Sequence, residues 1–284
     1  MADTASLESR LEGLLDQEKF PPPDGFRESA VVSDPSIYEA ADQDYEGFWE
    51  QQAEALDWEQ KWDQVLDWSD PPNAKWFVGG KLNVAENCVD RHVEDGNGDR
   101  VAFHWRGEEG EEEKITYADL HRDVQKFANA LKDVGVEKGD VVGIFLPMIP
   151  EVVVAMLACA RIGAIHNVVF GGFSAESVKE RIEFSEAKTL ITVDGARRKG
   201  KTAPIKETVD EVIGDLVDTI VVVERSHNDA PMKEGRDHSY AALLEKATTS
   251  ARPSRWTPRT RSTSSTRRAR RPSPRASCTR PAAT

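Results

Sequence analysis

Four short apolar runs, DVVGIFLP (140–147), AIHNVVF (164–170), TLITVDG (189–195) and TIVVVE (219–224), follow one another with helix-patterned segments between them. Runs of this length that stay apolar, without polar alternation, suit strands buried on both faces. Pro150 opens a helix over EVVVAMLACARIG (151–163), and Ser174 is placed to cap a helix reaching about Phe184. KTAPIKETVDEVIGDL (201–216) carries a third. Strands alternating with helices predict an α/β fold, a doubly wound parallel sheet with crossover helices. Ligands of such sheets bind beyond the carboxyl ends of the strands. The chemistry is therefore to be sought in the loops that follow these runs.

Upstream the rhythm differs. VAFHWRG (101–107) and KITY (114–117) read as a strand pair with the acidic GEEGEEE as its exposed turn. Thr116 and Asp119 have the spacing of a capping box. Leu120, Val124, Phe127, Leu131 and Val134 then form one face of a helix stopped by Gly135. LNVAENCVDRHV (82–93) predicts a helix with Leu82, Cys88 and Val89 inward, and Tyr45 to Leu56 an amphipathic one. The rest of the tryptophan-rich zone (Trp58, Trp62, Trp68, Trp76) reads as loop packed by its aromatic rings. Residues 1–35 are polar, with PPPDG (21–25) breaking regular structure, and YAALLEKA (240–247) begins a last helix.

Charge separates the chain into two compositions. Residues 1–249 hold all 50 acidic side chains and 27 of the 37 basic ones, a balance of -23, whereas residues 250–284 hold ten Arg and no acid. Such acidity argues against nucleic acid or an anionic membrane as a partner, and it predicts a halophilic source. Cys88, Cys159 and Cys278 form no CxxC, and the six histidines lack metal-ligand spacing. No signal-like start and no run near 18 apolar residues is present, so a cytoplasmic location is expected.

Two strand-end loops are candidate sites. FGGFS (170–174) leads into a capped helix, and a tight strand-to-helix turn accounts for its glycine pair. DGARRKGKTAPIK (194–206) concentrates Arg197, Arg198, Lys199 and Lys201 at a strand end, which suits a phosphorylated ligand. GARRKGKT also matches the P-loop pattern letter for letter. Bulky charged residues where small ones should wrap a phosphate, and a position after several strands, weigh against that reading.

YEGFWEQQAEALDWEQKWDQVLDW, GKLNVAENCVDRHV, GDVVGIFLPMIPEVVVAMLACARIGAIHNVVFGGFSAESVKERI and DGARRKGKTAPIK together resemble AMP-forming acetyl-CoA synthetases, over about residues 35–248. The resemblance implies the N-terminal part of an adenylate-forming large domain, preceded by a helical, loop-rich cap. It divides the chain into a polar extension (1–35), the cap (36–95), the first part of the AMP-binding domain (96–249) and an aberrant, disordered tail (250–284). It implies that acetate attacks ATP to give acetyl-adenylate and diphosphate, and that CoA then displaces AMP. The basic loop would meet CoA through Arg198, Lys199, Gly200 and Lys201. The family commonly has Arg where Lys201 stands, so one bidentate contact is reduced to a point charge. The family's phosphate loop, Mg2+ ligands and catalytic lysine would lie past residue 248, so neither a catalytic residue nor a metal ligand is expected in this chain. A propionate or other short-chain acyl ligase is the nearest alternative; a non-catalytic CoA- or partner-binding module is one of another class.

The tail fits the same resemblance. Read one base out of frame, residues 256–284 permit DAEDPLYILYTSGTTAEPKGVVHTTGGY, the family's phosphate loop with Ala at one position usually Gly. The arginines of 252–284 then follow from GC-rich codons in the wrong frame, and a truncated, inactive product is expected.

Overall fold

The computed structural model describes residues 22–198 and 200–254. The chain divides into two compact units, Met1–Ala55 and Leu56–Thr284. In the first unit, helix α1 (Asp24–Glu28) begins where PPPDG was expected to exclude regular structure, because Pro22 and Pro23 precede the helix and break no hydrogen bond within it. Helices α2 (Ser36–Gln43) and α3 (Tyr45–Glu54) follow, and the Asp44 carboxylate caps α3 by accepting from the Gly47 N–H at 3.0 Å.

The second unit opens with an aromatic layer. Trp58, Trp62 and Phe77 meet ring to ring at centroid distances of 4.9–5.6 Å. The layer is not all loop, since strands β1 (Gln64–Asp67) and β2 (Lys75–Val78) pair antiparallel within it. From residue 84 the chain is helical with two π turns, Glu86–Asp90 and Val93–Asn97, the second kinked at Gly96 with φ 80°. Val89 is buried as expected, but Cys88 is exposed. A π turn adds a residue per turn and rotates the faces that a regular helical period predicts.

Strands β3 (Val101–Arg106) and β4 (Glu112–Thr116) form the expected hairpin. The capping box at the start of α4 (Tyr117–Asp133) is made in both directions, Asp119 N–H to Thr116 Oγ1 at 3.1 Å and Thr116 N–H to Asp119 Oδ2 at 3.3 Å. Leu120, Val124, Phe127 and Leu131 are all buried.

The core is a five-stranded parallel sheet, β5 (Val141–Ile144), β6 (Ile165–Val168), β7 (Thr189–Val193), β10 (Thr219–Val223) and β11 (Asp237–Ser239), in the order β11-β10-β7-β5-β6. Side chains along each strand alternate between two cores. Val142, Ile144, Ile191, Val193, Val221 and Val223 face α4, α5 (Pro150–Ile162) and α8 (Tyr240–Lys246). Leu190, Ile220 and Val222 face α6 (Ala175–Ser185) and α7 (Ile205–Ile213). The chain moves one way from β5 to β6 and the other way from β6 through β7 to β10. Right-handed crossovers therefore put α5 on one face and α6 and α7 on the opposite one.

Beyond β1 and β2, three more strands escaped the sequence pattern. β8 (Ala196–Arg198) and β9 (Lys201–Ala203) make a hairpin from a stretch read as a basic loop, and β11 adds a polar edge strand. Ala251 is buried and the Ser254 N–H donates to the Arg161 carbonyl at 2.6 Å, so the chain just past Ser250 is docked on the domain. The remainder of the expected tail, and its frame-shifted reading, lie outside the described residues.

Candidate functional site

The first and third strands of the sheet, β5 and β7, are neighbours whose following segments leave in opposite directions, which defines a crevice at their carboxyl ends. A cleft of about 550 Å3 opens there. Its floor is Leu146 to Ile149 after β5, one wall is Val168 to Gly172 after β6, and Ala196, Arg197 and Arg225 reach in from the loops after β7 and β10. The β3–β4 hairpin closes the remaining side. The Trp105 indole N–H donates to the Met148 carbonyl at 2.7 Å, fixing the ring to the floor.

FGGFS proves to be wall as well as turn. A Cβ on Gly171 would stand 2.9 Å from the Leu146 carbonyl oxygen, so only glycine lets the β6 loop approach the β5 loop this closely. Phe170 and Phe173 stand edge to face at 5.8 Å, and Phe170 remains 64% exposed at the mouth.

The basic segment is held by a residue that the sequence reading passed over. Asp194, at the end of β7 and 2% exposed, accepts four backbone N–H groups: Gly195 at 2.7 Å, Arg225 at 2.8 Å, Ser226 at 3.0 Å and Asn228 at 3.1 Å. Burial alone would raise the Asp194 pKa, but the N–H donors overcome it and hold the carboxyl below its ordinary range. The β7 and β10 loops are thereby locked together. A buried carboxylate directly after an apolar strand was the available signal.

Beyond Asp194 the chain turns through the β8–β9 hairpin, with Arg198 opposite Lys201 and Gly200 at φ 70° in the turn. Ladder pairing of Ala196 with Ala203 and of Arg197 with Thr202 engages the backbone that a P-loop would wrap around phosphate. The P-loop match is therefore a coincidence of letters. Lys201 is exposed on this hairpin, and Lys199 and the side chain of Arg198 lie outside the described residues. Arg197 pairs with Glu109 on the β3–β4 turn.

The lysine that ends the motif has a different part. Lys206 is fully buried, and its Nζ bonds to Asp210, to Asp237 Oδ2 at 2.7 Å and to the Pro231 carbonyl at 3.1 Å. Arg236 bridges the same two carboxylates at 2.6 Å each. This network anchors α7 to the sheet edge behind the hairpin. Arg161, 5% exposed, likewise grips Asp90 at 2.7 Å and the Ala251 carbonyl at 2.7 Å.

The architecture defines a doubly wound α/β domain with a cleft at its switch point. The family model described as AMP-binding enzyme matches residues 89–267, and the chain belongs to that family. A second model, described as acetyl-coenzyme A synthetase N-terminus, matches residues 35–88. Similar curated proteins carry the name acetyl-coenzyme A synthetase. The one from Rubrobacter xylanophilus is 51% identical over 80% of this chain and 36% of its own length. The one from Mycolicibacterium smegmatis is 53% identical over 81% of this chain and 25% of its own. The one from Streptomyces avermitilis is 52% identical over 82% and 36%. The chain thus spans about a third or less of the relatives it matches.

Proposed function

We propose that this chain is the N-terminal part of an acetate–CoA ligase that forms acetyl-CoA, AMP and diphosphate from acetate, CoA and ATP through acetyl-adenylate. The observation that carries the reading is the β8–β9 hairpin, a concentration of positive charge at the switch-point edge of an acidic chain. It occurs in a chain about half identical to acetyl-coenzyme A synthetases. On this reading residues 36–95 are the cap and 96–249 the first part of the adenylation domain. Arg198, Lys199, Gly200 and Lys201 receive the phosphorylated adenosine end of CoA, with Gly200 at positive φ in the turn of the hairpin.

Among the described residues no three of His, Cys, Asp and Glu come together as metal ligands. Among them, too, no helix is long and apolar enough to cross a membrane, and the location proposed is cytoplasmic. The out-of-frame origin of residues 252–284 belongs to the same proposal and is checked by resequencing the gene across codons 245 to 260.

Calorimetric titration tests the binding role. CoA is expected to bind the 284-residue chain, and Arg198→Ala/Lys201→Ala to weaken it about tenfold or more, two charge-assisted contacts being lost. Equal affinity of the two proteins refutes the assignment. The same chain is expected to show no acetate-dependent exchange between ATP and diphosphate, and measurable exchange overturns that part.

A further inference from the structure

The charges lining the cleft cancel. The lining holds Arg106, Arg197 and Arg225 together with Glu108, Glu109 and Glu111, all three carboxylates from the single turn that joins β3 to β4. Glu109 pairs with Arg197, and Glu111 Oε1 lies 3.6 Å from Arg225 Nη2. The Arg225 guanidinium also lies over Trp105, 4.5 Å from the ring centroid, on the strand that leads into that turn. One acidic hairpin thus reaches across to both of the arginines that the β7 and β10 loops present. These pairs differ from the buried ones elsewhere in the fold. Arg197 and Glu109 are 38% and 49% exposed, Arg225 and Glu111 29% and 42%. Pairs that wet shift an equilibrium only a few-fold each and can exchange partners, whereas Arg161–Asp90 and Lys206–Asp237 are sealed.

We propose that Glu109 and Glu111 are exchangeable counter-ions for Arg197 and Arg225, and that a phosphorylated ligand entering the cleft displaces them, swinging the β3–β4 turn outward. The inference rests on the proposed CoA-binding role of this edge and adds two arginines and a closing element to it. A phosphate group brings more charge and more acceptor oxygens than one carboxylate, so it wins the exchange. While the turn is closed the cleft mouth is close to neutral, and weaker anions gain little by entering. Gly107 and Gly110, the latter at φ 88°, flank Glu108 and Glu109 and give the turn its bend.

The test is a CoA titration of the full chain against two variants of equal charge. Glu109→Gln/Glu111→Gln removes the counter-ions and keeps the shape. Asp133→Asn/Glu137→Gln removes the same charge from exposed positions just before β5, at the amino end of the sheet. The first variant is expected to bind CoA roughly threefold to twentyfold more tightly than the unaltered chain, the summed effect of two exposed pairs, with the gain shrinking as salt is raised. The second is expected to stay within about twofold. Equal affinity of the unaltered chain and Glu109→Gln/Glu111→Gln overturns the counter-ion role alone. An equal gain in both variants overturns it too, as a bulk-charge effect. Absence of CoA binding by all three chains overturns the binding reading, and the counter-ion role with it.

Discussion

Asp194 shows how much one carboxylate can organise when its partners are backbone. Its four N–H bonds join the loops after β7 and β10, which between them carry Arg197 and Arg225. Asp194→Asn keeps the volume but replaces one acceptor oxygen by a donor facing N–H groups. A loss of about 1–3 kcal/mol at pH 7 is expected, the cost of buried donors left unmet. The sign of its pH dependence follows from the depressed pKa. The stabilisation is whole above the unfolded carboxyl value, about 3.9, and is lost as pH falls through the lower folded value. Urea titrations of the two proteins should therefore begin to converge as pH falls below about 4, and meet only below the folded-state value, where the acid is neutral in either state. A gap that persists unchanged at pH 3 would show that the charge is not what the N–H groups hold.

At the scale of elements, the strand ends meet because glycines permit it. Gly171 abuts the Leu146 carbonyl, a backbone atom that cannot step aside, whereas a Cβ on Gly172 would first meet the Phe170 ring at 2.7 Å, an exposed side chain that can turn. Gly171→Ala is expected to cost about 1–3 kcal/mol and to weaken CoA binding, because the β6 loop must back away from the floor. Gly172→Ala should cost less than about 1 kcal/mol. Thermal melts of the two variants decide the matter, and equal losses would mean that the close approach is not what fixes the wall. The same contrast between backbone and side chain explains why β8 and β9 were read as a basic loop. Their strand character lies in backbone pairing, and ARRKGKTA offers no apolar alternation to announce it.

For the whole molecule the dominant quantity is charge. With a balance of -23 over residues 1–249, self-repulsion opposes compactness wherever it is unscreened. Raising KCl from 0.1 to 2 M shortens the screening length from about 10 Å to less than about 3 Å. A gain of about 1–2 kcal/mol, or about 2–8 °C in Tm, is expected for a chain of this size. Calorimetric scans across that range check it, and a flat or falling Tm would remove the case for a halophilic source.

The amino-acid sequence alone determined what is local and periodic. Apolar runs of strand length, the Thr116–Asp119 box, Pro150 at a helix start and the Leu120–Leu131 stripe are each set by neighbours within one or two turns of chain, and each stands in the structure as read. The density of positive charge at 197–201 was likewise visible as composition. Tertiary structure alone decided what those charges face. Arg197 and Glu109 are far apart in the chain, and nothing periodic links an acidic turn to a basic hairpin. Their meeting follows from the strand order β11-β10-β7-β5-β6, which brings the β7 loop beside the β5 floor and under the β3–β4 turn. The burial of Lys206 has the same origin in part: Asp210 is its neighbour one turn along α7, but only the folded edge brings Asp237 to the pair. Side-chain pattern specifies elements because it acts over a few residues, whereas ion pairs and clefts depend on which strand ends become neighbours.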